Sequence, residues 1–121
     1  MISSNVLKDK SYAFAVRVVK AYQFIVTEKK EFVLAKQLLR SGTSIGANIS
    51  EAKGAISEAD FSAKISIAYK ECLETKHWLC LLKDTGYLTE KEFESLHNDA
   101  DELAKMLFAT LKTTGRISTI R

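Results

Sequence analysis

Proline is absent from the whole chain of 121 residues, and no other feature constrains the fold as strongly. Proline is the strongest helix breaker, so every segment is free to extend a helix. Apolar residues also recur at helical spacing along most of the chain. They predict four helices, at about residues 8–28, 32–53, 58–84 and 90–113, followed by a flexible C-terminal tail at residues 115–121. The short connections predict a single all-α domain, an up-down-up-down antiparallel four-helix bundle.

Several helix ends carry local signals. Ser57 precedes two acidic residues and predicts an N-cap, and Thr89 with Glu92 predicts a capping box. Gly86 follows the third predicted helix and is expected to end it. Gly54 follows the second helix and is expected to be a left-handed C′ residue.

The second predicted helix is rich in residues that weaken isolated helices. Positions 41–48 read SGTSIGAN, although Ser, Gly, Thr and Asn are all weaker helix formers than Ala or Leu. We interpret these residues as serving hydrogen bonds and close contact with another helix, the contact being through Gly42 and Gly46. One face forms a buried stripe of Leu34, Leu38, Gly42, Ile45, Ile49 and Ala52. A second face forms a polar line of Arg40, Ser44, Asn48 and Glu51.

Two interpretations of this polar line remain open. In the structural one, Arg40 pairs with an acid on a neighbouring helix, Glu71 or Glu74. Ser44 and Asn48 then satisfy each other or a backbone carbonyl, because half-buried polar groups need partners. In the functional one, the line binds a ligand or nucleic acid.

The third predicted helix is apolar on two sides. One line consists of Phe61, Ile65, Ala68, Cys72, Thr75 and Leu79, and the other of Ala63, Ile67, Trp78 and Leu81. A helix that is apolar on two sides is buried on two sides. Three companion helices cover one side, so we expect the line that contains Trp78 to form an oligomer interface.

The net charge is only +3, but it is unevenly distributed. Residues 1–53 hold 9 Lys or Arg and 4 Asp or Glu, a charge of +5, and residues 54–121 hold 9 against 11, a charge of −2. A basic first half permits contact with phosphates, and association of several subunits would multiply each basic patch. The candidate nucleic-acid-binding residues are Lys10, Arg17, Lys20, Lys36, Arg40, Arg116 and Arg121.

Two Glu-x-x-His pairs, Glu74–His77 and Glu94–His97, are the strongest sign of chemistry in the chain. Di-iron bundles use two such pairs and a Glu from each of the other two helices, all facing inward. Here both glutamates and His77 point away from the main apolar stripes, and the interior of the first helix has no acid. Neither a nucleophilic triad nor a Gly-rich phosphate loop is present. We therefore expect no enzymatic activity, no metal and no cofactor.

The chain has no apolar run near the ~20 residues of a membrane span and no N-terminal signal sequence. These features predict a cytoplasmic protein with no membrane partner. Cys72 and Cys80 are eight residues apart, about 12 Å along one helix, which is too far for a disulfide within the chain. They are interpreted as small core residues.

The segments LLRSGTSIGANISEA and YKECLETKHWLCLLKDTGYL resemble a bacterial four-helix-bundle family that includes the proteins encoded by intervening sequences of 23S ribosomal RNA. The accessory variability proteins of diversity-generating retroelements are related to that family. The resemblance extends over about residues 8–113. The matching positions are Arg40, Ser44, Asn48 and Glu51 of the polar line, Glu71 and Glu74 of the third helix, and the closing turn Gly86-Tyr87-Leu88.

This resemblance implies a homopentamer of antiparallel bundles and no known enzymatic reaction. For the retroelement relatives it implies binding to nucleic acid and to a reverse transcriptase. The chain departs from many members at Gly46, where they carry Pro, and at residues 50–52, where they carry Ala-Glu-Gly.

Two functional hypotheses follow. The first is a non-enzymatic, oligomeric bundle that binds RNA or DNA through its basic surfaces, as the charge of the first half favours. The second is a protein-protein interaction or scaffold module, for example a partner of a reverse transcriptase, with no direct role on nucleic acid. The apolar line around Trp78 favours the second.

Overall fold

The computed structural model describes residues 4–114, and this part of the chain is helical with short connections. Helix α1 covers Ser4–Phe24 and continues into a π-helical turn at Ile25–Lys29. The remaining helices are α2 (Val33–Lys53), α3 (Glu58–Asp84) and α4 (Glu90–Thr113). The all-helical prediction with four helices is confirmed. The first helix begins earlier than expected, and the predicted tail at residues 115–121 lies outside the described residues.

Each helix packs on two neighbours. The pairs are α1 with α2, α2 with α3, α3 with α4, and α1 with α4, which is the cyclic order of a four-helix bundle. The predicted stripes of α2 and α3 meet in the core. The largest fully buried side chains are Phe14, Ile25, Leu38, Ile45, Ile49, Ile65, Leu79, Leu82, Leu103, Leu107, Leu111 and Val18.

Small residues on α2 bring it close to α1, as the sequence predicts. A Cβ placed on Gly42 would lie 2.7 Å from both γ carbons of Val18. At Gly46, the nearest atom to such a Cβ is the Ser11 hydroxyl oxygen, at 3.4 Å. At Gly42, therefore, only glycine leaves room for the Val18 side chain.

The helix caps of α3 and α4 are confirmed. The Ser57 hydroxyl accepts from the Asp60 N–H at 3.0 Å, and Thr89 and Glu92 form a reciprocal capping box with bonds of 2.8 and 3.1 Å. The prediction for Gly54 is wrong, because its φ of −97° is not left-handed. Its N–H bonds to carbonyls of the preceding turn, which ends α2 without a left-handed residue.

The connection between α1 and α2 has a structure that no sequence signal predicts. The π-helical turn ends at Lys30, which has a φ of 56°. Glu31 then caps α2, since its carboxylate accepts from the N–H groups of Val33 at 3.3 Å and Ala35 at 2.9 Å. This turn and cap hold the start of α2 against the end of α1.

None of the helices within residues 4–114 is long and apolar enough to cross a membrane.

Candidate nucleic-acid interface

Two of the predicted nucleic-acid-binding residues tie α1 to α4. The Arg17 guanidinium donates to the Asp99 carboxylate at 2.6 Å and to the Ser95 hydroxyl at 2.7 Å. About two helical turns before Arg17, the Lys10 ammonium lies 3.3 Å from the Glu102 carboxylate. Both cations remain partly exposed, but a neighbouring carboxylate offsets the charge that each presents to solvent.

Arg40, another of these residues, lies between two acids of α3. Its guanidinium donates to the Glu74 carboxylate and lies 3.5 Å from a Glu71 carboxylate oxygen. The Glu74 carboxylate also accepts from the indole N–H of Trp78 at 3.0 Å. Arg40 therefore joins α2 to α3, as the structural interpretation of the polar line predicts.

The rest of the polar line also makes contacts within the chain. The Asn48 amide donates to the Ser44 carbonyl at 2.9 Å. The Glu51 carboxylate lies 2.8 Å from the Lys64 ammonium, and this hydrogen bond raises the pKa of Lys64. The arrangement favours the structural interpretation, in which the line sets the register of α2 on α3.

Lys20 and Lys36 are the two predicted residues left without an acidic partner within residues 4–114. Both are exposed, and they flank the connection between α1 and α2. Arg116 and Arg121, also predicted, lie outside the described residues.

Two further lysines, which the sequence analysis did not select, join them. Lys29 and Lys30 are exposed in the same connection, and neither forms an ion pair in the part of the chain that the structure describes. The only feature of the sequence that could have identified these two lysines is the short charged run between the first two apolar periodic segments. We call the surface of residues 20–36 the α1–α2 end. It carries four lysines, which are Lys20, Lys29, Lys30 and Lys36.

Acidic residues offset this charge only in part. Residues 20–36 contain four lysines and two glutamates, a net charge of +2. One of the two, Glu31, already accepts two backbone N–H groups, so its charge is directed into the start of α2. The other, Glu28, is exposed. The positive field of the α1–α2 end is therefore carried by side chains that protrude into solvent.

The adjoining start of α4 is acidic and bounds this field. A groove of about 280 Å³ between α1 and α4 is lined by Lys20 and Phe24 on one side and Glu92 on the other. The Glu92 carboxylate accepts from the Thr89 N–H within its capping box. An anion in this groove would therefore find its cationic partner on the α1 side.

The predicted oligomer line on α3 is only partly covered within the chain. Ala63, Trp78 and Leu81 are half-buried, and Ile67 is 42% exposed. Trp78 packs on the edge of the core and donates its indole N–H to Glu74. The line stays a prediction for an interface between subunits.

The two Glu-x-x-His pairs do not converge. Glu74 is bound to Arg40, while His97 packs on the Phe93 ring with centroids 4.9 Å apart. Burial, followed by the effect of the Lys76 ammonium, lowers the pKa of His97. No group of three or more potential metal ligands occurs within residues 4–114.

Both cysteines are free. Cys72 is buried and Cys80 is half-buried. Burial raises the pKa of the Cys72 thiol to about 12. Cys72 therefore behaves as a small core residue rather than as a reactive thiol.

Comparison with known proteins identifies the family of the chain. The family model described as 23S rRNA-intervening sequence protein matches residues 4–109. A crystal structure from Bacteroides thetaiotaomicron VPI-5482, described as a protein with unknown function from the S23 ribosomal protein family, is 55% identical, with a TM-score of 0.90. The alignment covers 92% of this chain and 99% of that one. No curated protein matches the chain. This chain belongs to the family of 23S rRNA-intervening sequence proteins.

Proposed function

We propose that this protein is a non-enzymatic, oligomeric four-helix bundle of the cytoplasm that binds RNA or DNA through its α1–α2 end. The observation that carries the proposal is the group of four exposed lysines with no acidic partner in the described part of the chain. Lysines that neutralise phosphates release counterions, and this release supplies most sequence-independent affinity. The predicted binding is therefore sensitive to salt and weakly dependent on sequence.

Self-association strengthens this proposal, because a homopentamer would present five copies of the α1–α2 end. The partly exposed line on α3 supports association. Ile67 is its most exposed member, and a large apolar side chain in water is unfavourable. Light scattering on the purified protein should give a mass near five times 13.5 kDa. Ile67→Glu should lower that mass without loss of helical circular dichroism, and an unchanged mass would contradict this interface.

The nucleic-acid proposal is tested by fluorescence anisotropy with labelled RNA and DNA oligonucleotides at low salt. The test variant replaces Lys20, Lys30 and Lys36 by Gln. A matched control replaces three exposed lysines on other surfaces by Gln, so that the net charge changes equally and no ion pair within residues 4–114 is broken; these are Lys8, Lys53 and Lys70. We expect the test variant to lose most of its affinity and the control to retain most of it. Absence of binding by the unmodified protein would refute the proposal, and equal losses in both variants would refute the assignment to the α1–α2 end.

A protein-binding module is the second candidate, and one surface feature favours it. Tyr12 is 71% exposed and lines a groove of about 560 Å³ between α1 and α2, together with Ala15, Gly46 and Ala47. A partner such as a reverse transcriptase could place an apolar side chain there. Purification from the native host after nuclease treatment separates the candidates. A reverse transcriptase recovered in stoichiometric amount, with no affinity of the pure protein for nucleic acid, would favour this second function.

A further inference from the structure

Two phenylalanines lie exposed among the lysines of the α1–α2 end. Phe24, the last residue of α1, is 41% exposed, and Phe32, the residue before α2, is 57% exposed. Burial of an aromatic side chain is favourable, so two exposed rings among cations offer apolar area to a ligand that also carries negative charge. Phosphate contact through lysines gives no role to an aromatic ring, so these two rings need a separate explanation.

The backbone that carries both rings is held in place. Phe24 is followed by the π-helical turn, in which Ile25 is fully buried in the core. Phe32 is held by the Glu31 cap, which bonds the first turn of α2. The rings are therefore presented by rigid elements, which lowers the entropy lost when a ligand binds.

Cations accompany the rings closely. The Lys29 ammonium lies 6.0 Å from the centre of the Phe24 ring, at the outer limit of a cation–π contact. Lys20 precedes Phe24 by one helical turn and Lys36 follows Phe32 by one, so each ring has a lysine on its own side of the connection. An aromatic ring beside a flexible cation matches the repeating unit of a nucleic-acid strand, a flat base beside a phosphate.

We infer that the α1–α2 end binds single-stranded nucleic acid, with unpaired bases stacked on Phe24 and Phe32 and phosphates on the neighbouring lysines. The inference rests on the proposed function and specifies the class of nucleic acid. A duplex keeps its base faces inside the stack, whereas a single strand or a loop exposes them to aromatic side chains. The same surface carries four exposed lysines, and lysine is depleted in protein–protein interfaces, so its composition favours a nucleic acid over a protein partner.

The test compares a labelled 15-nucleotide polyuridine with an RNA duplex of equal length, using the full-length protein. The variants are Phe24→Leu and Phe32→Leu, which keep an apolar side chain and remove the ring. Tyr12→Leu is the control, because Tyr12 is an exposed aromatic residue of α1 outside the α1–α2 end. Stacking contributes about 1–3 kcal/mol per base, so each variant should weaken single-strand binding by about 5-fold or more, with duplex binding and the control unchanged.

The outcomes separate this inference from the proposal beneath it. If both Phe variants bind polyuridine as the unmodified protein does, or if the unmodified protein prefers the duplex, the stacking inference is wrong while the lysine proposal stands. If the unmodified protein binds neither oligonucleotide, both the stacking inference and the lysine proposal are wrong. Circular dichroism and light scattering establish that the variants keep their fold and mass. An equal loss of single-strand and duplex binding in folded variants would also overturn the inference.

Discussion

The contact between Gly42 and Val18 gives a stability prediction whose sign is set by two distances. Gly42→Ala places a Cβ 2.7 Å from both γ carbons of Val18, a side chain with no exposed surface. Valine in a helix has one strongly preferred rotamer, so it cannot turn away and the helices must move apart. Overpacking of this kind costs about 1–3 kcal/mol, and the gain in helix propensity returns up to about 1 kcal/mol. Because both contacts fall so far inside the normal range, we expect a net destabilisation of about 1–2 kcal/mol.

Gly46→Ala is the matched control on the same helix. Its new Cβ would lie 3.4 Å from the Ser11 hydroxyl oxygen, an ordinary contact. Only the helix propensity then changes, and we expect stabilisation of about 0.5–1 kcal/mol. Urea unfolding followed by circular dichroism, at equal protein concentration, measures both free energies. If Gly42→Ala is as stable as the unmodified protein, the close approach of α1 and α2 is not what requires glycine at this position.

Further predictions concern the cysteines and the link between α2 and α3. At pH 8, iodoacetamide should modify Cys80 well before Cys72, because Cys72 is buried with a thiol pKa of about 12; peptide mass spectrometry would contradict this by finding Cys72 modified first. A double-mutant cycle of Arg40→Ala and Glu74→Ala should give a coupling energy of only about 0.2–1 kcal/mol, because the two side chains are 48% and 36% exposed. Urea unfolding measures it, and a coupling above about 2 kcal/mol would show a pair shielded from solvent.

The starts of α3 and α4 and the partners of Arg40 could be predicted from the sequence. A cap such as that of Ser57 depends on residues three positions apart, which a sequence displays directly. The position of Arg40 opposite Glu71 and Glu74 follows from helical periodicity once α2 and α3 are taken as neighbours. Local spacing and one assumption about topology are enough for these features.

The π-helical turn and the partners of the α1 cations could not be predicted from the sequence. Ile25 continues the regular apolar spacing of α1 and is buried, so nothing in the sequence distinguishes a π-helical turn at Ile25–Lys29 from a continued α-helix. Arg17 and Lys10 find their partners on α4, 82 and 92 positions later in the chain. No local pattern shows which lysines lack an acidic partner. The folded chain is therefore needed to identify the four lysines of the α1–α2 end that have none among residues 4–114.

Binding of single-stranded RNA as a function of salt tests the proposed function most directly. If the four lysines of one α1–α2 end contact phosphates, the logarithm of the binding constant should fall with the logarithm of salt concentration with a slope of about −3. Replacing Lys20, Lys30 and Lys36 by Gln should reduce the magnitude of that slope by about 2. Phosphate contacts weaken strongly between about 50 and 200 mM salt. A binding constant that stays the same over this range would contradict the account.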